Sequence, residues 1–72
     1  MDNIEKTDFK KVGEGIRLER LKQRMSQKTL GDMVGLSSAT IANTESNAGK
    51  ALYKNIITIT EALGIKLGDI SY

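Results

Sequence analysis

The stretch from Ser26 to Glu45, Ser-Gln-Lys-Thr-Leu-Gly-Asp-Met-Val-Gly-Leu-Ser-Ser-Ala-Thr-Ile-Ala-Asn-Thr-Glu, constrains this chain more than any other. The Ser26 hydroxyl can accept a free N–H of a first helical turn, and Leu30, Met33 and Val34 then recur at helical spacing. Gly35 stops that helix, because glycine enters the left-handed region without a Cβ penalty. Two residues later Ser37 can cap a second helix. There Ile41 is the one large apolar side chain and marks the inward face, which leaves Ser38, Ala39, Thr40, Ala42 and Asn43 facing elsewhere. Gly31 in mid-helix costs about 1 kcal/mol against alanine, and a glycine kept at that cost marks the close approach of a neighbouring helix. The stretch predicts two short helices joined by a tight turn.

Elements on either side complete an all-α chain. Residues 1–6 are polar apart from Ile4 and predict a flexible arm, so that residues 7–72 form a single domain. Thr7 is the expected N-cap of the first helix, with Asp8 in its first turn, where a negative charge meets the positive end of the helix dipole. Phe9, Val12 and Ile16 lie on one stripe, and Leu18, Leu21 and Met25 widen it into the face of a helix packed on more than one side. Gly13 and Gly15 together cost about 1–2 kcal/mol and predict a late or frayed start. Ser46 to Ala51 reads as a loop. A helix from about Leu52 to Leu63 follows, with Tyr53, Ile56, Ile57, Thr60 and Leu63 on its apolar face and Ile59 beside them. Gly64 ends it, and Ile65, Leu67 and Ile70 predict a last short helix. The sum is a compact five-helix bundle without strands.

Composition narrows the chemistry. A chain of 72 residues buries only about 60% of the surface its unfolded form exposes, so stability is expected to be modest. There are no cysteines and no histidines, which excludes a disulfide framework and metal sites built on thiolate or imidazole. Apolar runs fall far short of the ~20 residues that span a bilayer, and no leader pattern opens the sequence, so a soluble cytoplasmic protein is expected. With no Gly-rich phosphate loop, and with serines at helix caps far from any base, no enzyme, cofactor, metal or small-molecule substrate is expected. The net charge of +2 says little by itself, so the placement of the charges carries the argument.

Gln27, Gly31, Gly35, Ile41 and Glu45, with Arg20 six residues before Ser26, resemble the phage-repressor and Cro superfamily of helix-turn-helix DNA-binding proteins. The similarity runs without gaps from about Val12 to Ile70. Ile59-Thr60-Glu61-Ala62-Leu63-Gly64-Ile65 resembles the family's closing helix and its glycine stop. Three positions depart from the pattern: Arg24 where the family usually has glycine, Thr44 where it has an apolar side chain, and Leu52 where it has a capping residue.

The resemblance implies a lambda-repressor-like domain that lays the helix beginning at Ser38 into the DNA major groove, where residues near its N-terminus reach base edges. Ser38, Ala39 and Asn43 then fall at base-reading positions. The Asn43 amide can donate and accept at once and so match adenine, whereas Ser38 specifies weakly and Ala39 offers a methyl to thymine. No charge lies between Ser37 and Thr44, so arginine readout of guanine is absent there and DNA shape must contribute to specificity. Backbone contacts are expected from Ser26, Gln27, Lys28, Thr40, Asn47, Lys50, Lys54 and Asn55. At their matching positions Arg20 and Glu45 imply an ion pair that fixes the angle of the reading helix. Ile65, Leu67, Ile70 and Tyr72 offer a dimer interface. The expected function is a sequence-specific double-stranded DNA-binding transcriptional regulator, a repressor acting as a homodimer on a near-palindromic operator. The alternative is a protein-interaction module, either the antitoxin of a toxin–antitoxin pair or a transcriptional adaptor, with a toxin or anti-repressor as protein partner.

Overall fold

A computed structural model of the protein describes residues 8–66. Among them lie four α-helices, α1 (Phe9–Lys22), α2 (Gln27–Val34), α3 (Ser38–Ser46) and α4 (Tyr53–Leu63), with a 3-10 turn at Ala48–Lys50 between the last two. The expected count of five is therefore corrected to four among the described residues. Ile65 and Lys66 are not helical, and Leu67, Ile70 and Tyr72, like the arm at residues 1–6 and Thr7, lie outside the described residues.

Val12, Ile16, Leu30, Ile41, Ala48, Ile56, Ile59 and Leu63 form the buried core, so each helix contributes at least one apolar side chain to it. Phe9, Met25, Val34, Leu36, Ala51 and Ile65 pack against its edge. The apolar faces are narrower than their sequence spacing predicts. Leu18 (58% exposed), Leu21, Met33 and Tyr53 all face solvent, because a chain this small has no second layer to cover them. Helix α1 buries a single stripe along Val12, Ile16 and Arg20, not the broad face expected.

Start and stop signals decide the element boundaries. Asp8, not Thr7, caps α1, its carboxylate accepting from the N–H groups of Lys10 and Lys11. Ser26 and Ser37 cap α2 and α3 as expected, accepting from the N–H groups of Thr29 and Thr40. Three helix ends share one reversal, in which a left-handed residue lets the next N–H turn back to a carbonyl of the last turn. Gly35 and Gly64 take that conformation at the ends of α2 and α4. Arg24 takes it after α1, with φ 61°, and the Met25 N–H returns to the Arg20 carbonyl at 3.1 Å. Arginine at the family's glycine position is thus accommodated without loss of the turn. It bears the cost of about 1–2 kcal/mol that the left-handed region imposes on a residue with a Cβ.

Two glycines set the angle between helices. A Cβ at Gly13 would run into the carbonyl oxygens of Glu45 and Thr44, so the α1 and α3 backbones touch there. Gly13 thus lies inside an intact helix as its contact point, a role that replaces the frayed start expected from its low helix propensity. At Gly31 a Cβ would strike the Leu36 carbonyl oxygen. The close approach is to the turn entering α3, not to another helix.

Candidate nucleic-acid interface

Helix α3 presents its N-terminal edge to solvent. Ser38, Ala39 and Asn43 are exposed, while Ile41, Thr44 and Glu45 are buried on the opposite side. Thr44 needs no apolar replacement for its burial, because its hydroxyl donates to the Thr40 carbonyl at 2.7 Å. Glu45 is the one charged residue of α3, and it points inward.

That carboxylate meets Arg20 across the α1–α3 crossing. Arg20 Nε donates to Glu45 Oε2 at 2.6 Å and Nη2 to Oε1 at 3.1 Å, with both side chains less than a tenth exposed. Arg20 Nη1 also donates to the Met25 carbonyl at 2.8 Å, tying the left-handed turn at Arg24 to the pair. The hydrogen bond to Glu45 raises the Arg20 pKa above its ordinary value, outweighing the opposing effect of desolvation. A raised value means that the Arg20 charge gives its full contribution below arginine's usual range and loses it as pH rises above that range. Gln27, at the start of α2, donates to the same Glu45 oxygen at 3.2 Å. One carboxylate therefore ties α1 and α2 to α3, and no buried side-chain polar atom among the described residues lacks a partner.

Two polar recesses flank the exposed edge. The first, about 380 Å³, is lined by Thr40, Asn43, Thr44, Ser46, Asn47, Lys50, Ala51, Leu52 and Asn55. It gathers five residues singled out from sequence, Thr40, Asn43, Asn47, Lys50 and Asn55, from α3, the 3-10 turn and the start of α4. The second, about 340 Å³, is lined by Arg17, Gln27, Ala42, Asn43, Glu45 and Ser46. Asn43 belongs to both.

Other expected backbone residues stand outside the recesses. Lys28 is exposed and pairs with Asp32 at 3.0 Å one turn later, so part of its charge is answered within its own helix. Lys54 is exposed on the first turn of α4. The Ser26 hydroxyl donates to Thr29 Oγ1 and the Thr40 hydroxyl pairs with Ser37 Oγ, both at 2.9 Å, so each is engaged within a helix cap. Arg17, exposed on α1, lines the second recess and is not among the residues expected from sequence. Of the expected dimer residues, Ile65 is half-buried against the monomer core, and the rest lie outside the described residues.

The sequence profile of the helix-turn-helix family matches residues 16–70. The chain belongs to that family. This helix-turn-helix protein is of the phage-repressor and Cro type, a class of DNA-binding regulators. No curated protein matches its sequence significantly. Among solved structures its fold is similar to a chain of the HipA-HipB-O2-O3 complex, with a TM-score of 0.75 and 22% identity over 82% of this chain and 83% of that one. The chain in the HipB-O4 20mer complex gives 0.68 and 24% identity over 75% and 76%. Fe(II)-HppE with an alternative substrate gives 0.74 and 21% identity over 92% of the helix-turn-helix protein and 34% of the longer chain, so that likeness concerns the shared fold of one part. No helix among the described residues is long and apolar enough to cross a membrane.

Proposed function

We propose that the protein is a transcriptional repressor that binds a near-palindromic operator in double-stranded DNA as a homodimer. The observation that carries this reading is the placement of Asn43 on an exposed, uncharged helix edge between two polar recesses. An edge of that kind fits the floor of a major groove, with the recesses turned toward the phosphates on either side. Asn43, Ser38 and Ala39 read bases. Gln27, Asn47, Lys50 and Asn55 hold the backbone, with lesser contributions from Ser26, Lys28, Thr40 and Lys54. Arg20 and Glu45 fix the presentation angle. Two reading helices must stand about 34 Å apart to enter successive major grooves, and a two-fold dimer supplies that spacing.

Titration with a mixed-sequence duplex at low and high salt tests binding. Tight, salt-sensitive association is expected, and no binding at low salt overturns the reading. Selection from a random duplex library then yields the operator. Asn43→Ala should cost about 1–3 kcal/mol on that operator and relax preference at one base pair, whereas Lys50→Ala should weaken all sequences alike.

A second reading, the antitoxin of a toxin–antitoxin pair, is favoured by the fold shared with HipB, which has been solved together with HipA. The exposed side chains of Leu18, Leu21 and Met33 supply apolar surface that the core leaves uncovered. The readings overlap, since such a protein can bind both DNA and a partner. A toxin encoded beside this chain and co-purifying with it would establish the second.

A further inference from the structure

We infer that Arg17 supplies the phosphate contact on the second side of the reading helix, so that duplex DNA is held from both flanks of Asn43 by cations outside that helix. This inference rests on the DNA-binding reading above and adds to it a residue that neither the family pattern nor the local sequence singles out. Four observations carry it. Arg17 is exposed and lines the second recess with Gln27, Ala42, Asn43, Glu45 and Ser46. Glu45 in that recess is already engaged by Arg20 and Gln27, so the charge of Arg17 is left unbalanced there. Among the described residues Arg17 makes no ion pair, whereas Lys28 on the neighbouring helix is paired with Asp32 and Lys22 with Glu19. The first recess, across Asn43, holds Lys50 in the corresponding role.

The physical reason for two cations follows from the groove. A helix seated in the major groove runs between two phosphate strands, about 12 Å apart. A reading helix whose exposed face carries no charged side chain depends on cations outside it, and the cation of the first recess, Lys50, stands on one flank of Asn43 only. Arg17 answers from the other side, where its guanidinium fork can bridge two phosphate oxygens. Gln27 beside it donates to Glu45 and positions the recess wall. The two recesses thus make a saddle around Asn43 with one cation on each flank.

The test is fluorescence anisotropy of a labelled mixed-sequence 20-base-pair duplex, titrated with the full chain over a series of salt concentrations. Each phosphate contact contributes about 0.9 to the slope of log K against log salt, so Arg17→Gln should flatten the slope by about 0.9 per bound subunit. Lys50→Gln should do the same. Lys22→Gln removes an equal charge from α1 away from the recess and should keep the parent's slope. Arg17→Lys should restore it, because the charge is retained. All four variants are expected to melt with the parent, as each residue is exposed. A parent that fails to bind overturns the DNA-binding reading and this inference together. Arg17→Gln with an unchanged slope beside a flattened Lys50→Gln overturns the inference alone. Arg17→Lys behaving like Arg17→Gln overturns it as well, since the effect would then not follow the charge.

Discussion

Removing the Arg20 side chain would leave the Glu45 carboxylate buried with Gln27 as its remaining partner, and the Met25 carbonyl without its donor. Breaking a buried pair in this way costs about 3–5 kcal/mol, against a total stability of about 5–15 kcal/mol for a domain. Arg20→Ala should therefore lower the melting temperature by well over 10 °C, at about 4–8 °C per kcal/mol for a chain of this size, in a thermal scan followed by circular dichroism. Arg20→Lys should recover only part of the loss, because one ammonium cannot reproduce the two-pronged contact. Arg24 invites the opposite experiment. It holds a left-handed conformation that glycine adopts freely, so Arg24→Gly should raise the melting temperature by a few degrees, while a decrease would show that the arginine side chain contributes more than its backbone costs. The Arg20–Glu45 pair was legible from sequence because both positions match a family pattern. Arg17 was not, since nothing in its immediate sequence separates it from an ordinary solvated charge; only the fold brings it beside Asn43.

Helix boundaries followed their chemical signals closely wherever a cap or a glycine stop was present. Ser26, Gly35, Ser37 and Gly64 each sit at the end of the helix they were expected to bound. The first helix is off by one residue, with Asp8 in place of Thr7 as its cap, and periodicity alone is a weaker guide still. Leu18, Leu21, Met33 and Tyr53 fit an apolar pattern yet face solvent, because periodicity reports which residues could pack and not whether another element is there to meet them. Gly13 departs from its expected frayed start for a related reason: helix propensity counts the cost within α1, but the compensating contact with the α3 backbone is a tertiary fact. Gly13→Ala should accordingly destabilise the fold despite alanine's better propensity, with urea denaturation showing a lower midpoint. Helix α4 offers an improvement. Leu52 occupies its N-cap with no side-chain hydrogen bond and 61% exposure, so Leu52→Ser should add about 1 kcal/mol of capping and raise the midpoint.

One chain carries one reading helix, so the proposed operator symmetry has to come from assembly. Sedimentation at tens of micromolar should find a dimer, and a monomer at that concentration would overturn the homodimer. Leu67, Ile70 and Tyr72 are the natural residues to vary in that experiment, Ile65 being already half-buried in its own monomer. The fold class was legible because the core is small and its signals are local; the quaternary arrangement was not, because no intrachain periodicity encodes it. Ser38, Ala39 and Asn43 stand exposed, and no side-chain hydrogen bond among the described residues ties them to the scaffold, while the ties that orient α3 all lie on its other side. If these three read bases as proposed, exchanging them would rewrite the preferred target while the ties that orient α3 stay in place, so descendants of one ancestral gene could diverge to new binding sites by single steps.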